Sequence, residues 1–319
     1  MNKRDSASNR WRWLLAVIVV AAPLLMSPQS FALMQYRLAE SATEPGSEAA
    51  AENSAVVLAE TTKTDFKPVN KSQRTALTQL YQVSDGVSFH KDMFATPFTY
   101  NERFTGVETE TVFQLSLKAR VLDWPVFFGY TQRSFWQAYD HENSAPFRET
   151  NYNPELFARF LAGNWLSSEW GFDLGFEHES NGREAPSSRS WNRLYAVAFH
   201  EANDDVFSVK VWHRLKEDPK VDARDALGDD NPDIVDYYGN TEFRYRRCVD
   251  GKDCHHLFTS MLRGNLDTGK GAIELSWHYP TNSEQTSWYV YLFSGYGESL
   301  IDYNVSEKRL GIGVSLRPQ

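Results

Sequence analysis

The sequence predicts an all-β chain, folded as a twelve-stranded antiparallel transmembrane β-barrel, and three observations carry that expectation. Short segments of alternating hydrophobicity recur from about residue 80 onward, at roughly twenty residues per strand and connection, a spacing suited to tilted membrane strands. Aromatic residues are abundant: Trp 10, Tyr 15 and Phe 20 make up 14% of the chain, yet the mean hydropathy is negative. A polar lumen beneath an apolar outer band produces that combination, whereas a bundle of spanning helices does not. Composition alone suits a soluble β-sandwich equally well. The third observation, an export signature at the N-terminus, favours the barrel.

In chain order, Lys3, Arg4, Arg10 and Arg12 precede an apolar run from Trp13 to Met26, followed by Ser30, Phe31 and Ala32. A basic stretch, a short apolar core and a small-x-small site read as a signal peptide over 1–32, cleaved near Ala32. An uncleaved anchor is the alternative. Residues 33–75 are rich in Ala, Glu, Ser and Thr and read as a flexible periplasmic spacer. The barrel domain is expected over 76–319, with strands in or near 87–100, 111–119, 126–136, 156–162, 172–178, 193–199, 207–213, 237–245, 258–264, 273–279, 287–293 and 310–316. Closure into a barrel removes the free sheet edges that lipid cannot satisfy.

The connections are unequal. The segment from Cys248 to Cys254 holds an Asp-Gly turn signal and is compact, while 181–189 and 223–236 are longer and polar. Alternation puts the two long loops on the same, outer side, separated by two strands and one short turn. The cysteine pair is open to three readings: a disulfide across the turn, a metal site with His255 and His256, or free thiols. The formal net charge of -9 argues against a nucleic-acid partner.

The stretch 172–192 carries the candidate chemistry. Strand alternation puts Phe172, Leu174, Phe176, His178 and Ser180 on one face, and Asp173, Glu177 and Glu179 on the other. A hairpin centred near Ala185 sets Asn192 directly opposite His178. A hydroxyl nucleophile, an imidazole base and an amide to orient the ring then meet on an apolar face. A neutral amide also costs less than a carboxylate at a lipid-facing position. The bland alternative is a polar turn whose His and Asn only cap the hairpin. Backbone amides near Gly182 offer one oxyanion donor. Ser187, Ser188 and turn carbonyls, with Asp229 and Asp230 from the neighbouring long loop, are hard oxygen ligands that suit Ca2+ over zinc; a solvated turn is the plain reading of that acidic loop.

The run His178-Glu-Ser180-Asn-Gly-Arg-x-x-Pro-x-Ser-Arg-Ser-Trp-Asn192-Arg-Leu-Tyr resembles the active-site hairpin of the outer-membrane phospholipase A family. Phe113-Gln-Leu-Ser-Leu, Tyr130-Thr-Gln-x-Ser, Pro146-Phe-Arg-Glu-Thr-Asn-Tyr, Asp229-Asp-Asn-Pro-Asp-Ile and Ser294-Gly-Tyr-Gly-Glu-Ser-Leu-Ile-Asp-Tyr-Asn304 extend the resemblance from about residue 85 toward the C-terminus. It implies calcium-dependent hydrolysis of phospholipid acyl esters in the bacterial outer membrane, with phospholipase A1, A2 and lysophospholipase activities, by a homodimer. On that resemblance Ser180 is the nucleophile, His178 the base and Asn192 the orienting residue, with the Gly182 amide on the oxyanion. Calcium positions carry over to the Arg183 carbonyl, Ser188, Asp230 and Ser144 of the partner subunit, and Gln132 to a polar residue at the dimer interface. The cysteine pair, Glu179 and Glu184 fall outside the shared pattern. A non-catalytic pore or assembly barrel, and a barrel deacylase acting on lipid A, are the rival functions.

Overall fold

The computed structural model describes residues 86–121, 124–161, 169–222, 225, 228–250 and 254–317. The expected signal peptide and spacer lie outside the described residues. The strands are β1 (Val87–Phe89), β2 (Met93–Asn101), β3 (Thr111–Val121), β4 (Val126–Trp136), β5 (Phe147–Leu161), β6 (Trp170–Ser180), β7 (Ser190–Ala202), β8 (Asp205–Leu215), β9 (Thr241–Cys248), β10 (Leu257–Asn265), β11 (Lys270–Pro280), β12 (Thr286–Tyr296) and β13 (Ser306–Leu316), with a short helix α1 (Ile234–Tyr238) between β8 and β9. Each of β2 to β13 pairs antiparallel with its sequence neighbour, and β13 pairs with β2, so twelve strands close on themselves. The short β1 continues the β2 position, pairing with Leu117–Ala119 of β3 where β2 pairs with Val112–Gln114.

The barrel is inverted relative to a soluble one. Outward positions carry exposed apolar side chains, among them Leu115, Leu117, Leu174, Leu194, Ile273, Leu292 and Ile312. Trp277, Tyr279 and Trp288 lie near one rim on the β11–β12 hairpin, and Tyr100 and Tyr152 lie toward the other. That is the outer band and aromatic girdle of a membrane-spanning barrel. Inward positions carry buried charges held in pairs: Arg159 with Asp173 at 2.7 Å, Arg193 with Glu177 at 3.1 Å, Arg246 with Asp92 at 2.7 Å, and Arg309 with Glu110 at 2.7 Å and Glu298 at 2.8 Å. Buried charges are tolerated only when so compensated. The lumen holds a cavity of about 220 Å³ lined by mixed cations and carboxylates. A bore crossed by ion pairs is a packed core and not a channel.

Three expected segments differ from the structure. β5 begins at Phe147, nine residues before the expected 156, because Arg148 and Thr150 stand between the polar inward residues Glu149, Asn151 and Asn153, so its start shows no apolar alternation. Tyr237 and Tyr238 belong to α1 and not to a strand; Gly239, at φ 67°, ends the helix, and β9 starts at Thr241. The segment 87–100 is split between β1 and β2. At the loop-rich mouth, α1 and the turn after β12 pack together through Ile234, Tyr238, Leu300 and Tyr303, with Trp191 of β7 beneath them. Cys248 and Cys254 form a disulfide in the β9–β10 turn at the opposite end, which settles the three readings of that pair.

Candidate active site

The hairpin register decides the geometry. β6 and β7 pair with His178 opposite Asn192 and Ser180 opposite Ser190, so the turn is centred on Ala185. His178 and Ser180 lie on the outward face, and Asp173 and Glu177 are buried on the inward one. Asn192 Oδ1 lies 3.0 Å from His178 Nδ1. A carbonyl oxygen accepts, so Nδ1 carries the proton and Nε2 has its lone pair free. Ser180 follows two residues on along the same face; its hydroxyl makes no hydrogen bond among the described residues, and a Ser–His contact would require a turn of its side chain. Catalytic contacts often tighten only with substrate.

Below the pair, inward-facing Glu179 accepts from Trp191 Nε1 at 3.0 Å and Arg193 Nη2 at 2.8 Å, fixing β7 behind Asn192. Above it, Asn181 organises the turn. Its Oδ1 accepts the Arg189 N–H at 2.9 Å and the Arg183 N–H at 3.3 Å, and its Nδ2 donates to the Ser187 carbonyl at 2.9 Å. Gly182 sits at φ 64°, in the left-handed region, with the Tyr152 ring 3.1 Å from where a Cβ would stand. Its N–H has no hydrogen-bond partner among the described residues, and is therefore an available oxyanion donor.

The residues expected to hold calcium divide into two groups. Ser188 Oγ donates to Asp230 Oδ2 at 2.6 Å, so the hairpin turn and the long β8–β9 connection do meet. The other Asp230 oxygen takes Lys220 Nζ at 2.5 Å. Asp229, also read as a possible ligand, is held by Arg214 Nη2 at 2.5 Å. Arg183 reaches the Phe147 carbonyl at 3.4 Å and Glu149 at 3.4 Å, tying the turn to β5. Ser144 lies in the connection leading into β5 at the same end of the barrel; it is exposed, at φ 63°. Among the described residues no cluster of three or more His, Cys, Asp or Glu is placed to hold a metal. The candidate set is hydroxyl, carbonyl and one carboxylate, the hard oxygen donors that calcium takes.

Gln132 lies on the outward face of β4. It accepts from the Tyr130 hydroxyl at 3.1 Å and donates to Ser134 Oγ at 3.2 Å, so neighbours on its own strand satisfy half of the amide. Sequence reasoning missed Glu217, whose Oε1 accepts from Asn192 Nδ2 at 2.8 Å. Its only sequence signal is a position two residues beyond Leu215, the register partner of Asn192.

With that geometry in hand, comparison with known proteins identifies the lineage. The Phospholipase A1 family model matches residues 63–316. The chain belongs to the phospholipase A1 family. It is 36% identical over 233 residues to "Phospholipase A1" of Salmonella typhimurium, a span covering 68% of this chain and 73% of that protein. Among solved structures it is similar to the outer membrane phospholipase dimer of Salmonella typhi with bound calcium, with a TM-score of 0.62 and 30% identity over 76% of this chain and 97% of that one. It is also similar to outer membrane phospholipase A of Escherichia coli carrying an asparagine-to-alanine active-site substitution, with a TM-score of 0.63 and 31% identity over 77% of this chain and 98% of that one. The phospholipase A1 family and the closed apolar-banded barrel place this chain in the bacterial outer membrane as a multi-pass hydrolase of the phospholipase A1 type.

Proposed function

We propose that this protein hydrolyses phospholipid acyl esters in a calcium-dependent reaction, with phospholipase A1, A2 and lysophospholipase activities, through Ser180, His178 and Asn192. The observation that carries the reading is the 3.0 Å contact of Asn192 Oδ1 with His178 Nδ1, two residues from Ser180 on a lipid-facing strand. It leaves Nε2 as the base. Ser180 Oγ attacks the ester carbonyl carbon while its proton passes to His178 Nε2. The Gly182 N–H donates to the developing oxyanion. Collapse breaks the acyl–oxygen bond, and the departing alcohol takes the proton from His178. Water, deprotonated by the same nitrogen, then attacks the acyl-enzyme and releases the fatty acid.

Asn192 is supported as a member of the site by the active-site asparagine of the Escherichia coli relative. The calcium-bound dimer from Salmonella typhi supports calcium and self-association here. Arg183 through its carbonyl, Ser188, Asp230 and Ser144 of the partner subunit would hold the ion. When bound, it supplies positive charge to the oxyanion that one backbone amide alone stabilises poorly. Two barrels paired through their apolar faces would form the acyl-chain cleft, so activity depends on dimerisation and the separated protomer stays silent in its own membrane.

The test is fatty-acid release from phospholipid micelles by wild type and Ser180→Ala, each with calcium and with chelator. Activity confined to wild type with calcium is expected. Calcium-dependent release by folded Ser180→Ala within tenfold of wild type would remove Ser180 as the nucleophile.

A further inference from the structure

Asn192 is held at both ends: its Oδ1 lies 3.0 Å from His178 Nδ1, and its Nδ2 donates to Glu217 Oε1 across 2.8 Å. A carboxamide has a donating end and an accepting end, and half a turn about its terminal bond exchanges them. A neutral amide beside an imidazole is therefore an ambiguous partner. With Nδ2 toward the ring, His178 must accept at Nδ1 and carry its proton on Nε2. That nitrogen is the one left for Ser180, and a protonated nitrogen cannot take the hydroxyl proton. An aspartate in the same place has no such ambiguity, since both its oxygens accept.

Glu217 removes the ambiguity. An ionised carboxylate accepts only, so it holds the Nδ2 end and leaves Oδ1 facing His178. We infer that Glu217 is a positioning residue of the active site, fixing the orientation of Asn192 and, through it, the tautomer of His178 that serves as base. The inference rests on the Ser180–His178–Asn192 reading. Its placement follows from the register: Asn192 pairs with Leu215, the last residue of β8, and Glu217 stands two residues further on, at the start of the β8–β9 connection. The loop that carries Lys220 and Asp230 to the hairpin turn thus also carries the residue that orients the amide. Partial burial raises the Glu217 carboxyl above its ordinary range, with Asp229 and Asp230 adding to it, while the Asn192 bond and the Arg214 guanidinium oppose it. The carboxylate is therefore costly where it stands, and the Asn192 bond, together with Arg214, favours its charged form. A chain from Glu217 through Asn192 to His178 also lets a full negative charge act on the imidazolium through a polarised amide, which a neutral third member alone cannot do.

The experiment uses the full-length protein in detergent with saturating calcium. Folding is checked by heat-modifiable gel migration, and kcat and KM are measured for fatty-acid release from phospholipid micelles. Glu217→Ala is expected to lower kcat by about ten- to a hundredfold with KM unchanged. Glu217→Gln, a neutral amide that can turn either end to Asn192 and carries no charge, is expected to recover only part of kcat. Glu217→Lys, which only donates, turns the amide round, costs at least as much as Glu217→Ala, and moves the His178 proton to Nε2 in the imidazole ¹⁵N spectrum. In an Asn192→Ala background, Glu217→Ala changes nothing further. Wild-type kcat in Glu217→Ala, an unmoved His178 tautomer in Glu217→Lys, or equal losses in both backgrounds would each overturn the role of Glu217 while Ser180→Ala remains inactive. An active Ser180→Ala would instead remove the triad, and the inference with it.

Discussion

Ser188 Oγ donates to Asp230 Oδ2 across 2.6 Å, and Lys220 Nζ occupies the other oxygen of the same carboxylate at 2.5 Å. The hairpin turn that follows the proposed nucleophile is thereby latched to the long β8–β9 connection, and an ammonium group stands beside one of the proposed calcium oxygens. A cation arriving at Asp230 must compete with it.

Replacing Lys220 by Met should therefore tighten calcium binding, by about tenfold if the full repulsion near a half-buried carboxylate is relieved. Asp230→Asn should weaken binding by a similar factor. Calorimetric titration of calcium into the purified protein reads both. Unchanged affinity in both variants would exclude Asp230 from the calcium site.

Gly182 adopts φ 64°, and an added Cβ would stand 3.1 Å from the Tyr152 ring. Gly182→Ala should cost about 1–2 kcal/mol of backbone strain, and the turn relieves that strain by rotating the amide away from the oxyanion position. A fall in kcat of about tenfold or more, with KM near wild type, is expected from steady-state kinetics on micelles. A rise in KM alone would place the amide outside the transition-state contacts.

Gln132 satisfies its amide only in part through Tyr130 and Ser134, on a face otherwise directed at lipid. The remaining donor and acceptor can be met by a second copy. Gln132→Leu should weaken self-association by on the order of 1 kcal/mol, about fivefold. Sedimentation equilibrium in detergent with calcium measures this. An unchanged dimerisation constant would mean that the dimer forms elsewhere.

Arg309 is fully buried in the lumen between Glu110 at 2.7 Å and Glu298 at 2.8 Å. Arg309→Leu strands Glu298, while Glu110 keeps its pairing with Arg148, and should destabilise the barrel by about 3–5 kcal/mol. Adding Glu298→Gln should recover part of that loss. Guanidinium unfolding followed by tryptophan fluorescence gives the comparison, and a single variant as stable as wild type would show that lumen waters compensate the charges.

The barrel was legible in the sequence because period-2 alternation survives wherever the outward residues are apolar and their neighbours polar. β3, β8, β11 and β12 are such strands, and their observed spans enclose the expected ones. Where the signal weakened, physical reasons are visible. The start of β5 is polar at Arg148 and Thr150 as well as at its inward positions, and Tyr237 and Tyr238 resemble strand residues yet close a helix over the barrel mouth. At the site, His178 opposite Asn192 followed from counting around Ala185, because hairpin register is a local property of the chain.

By itself, then, the sequence determined the strand faces, the hairpin register and the meeting of His178 with Asn192, all of which depend on residues within one turn of each other. Only the tertiary structure decided what the third dimension brings from afar. Barrel closure and the fold of the β8–β9 connection set Glu217 on Asn192 and Lys220 on Asp230, and they paired the lumen charges across strands distant in the chain. Beyond the two-residue step from Leu215 to Glu217, no spacing in the sequence encodes those contacts, because they arise from the curvature of the sheet and the path of a long loop.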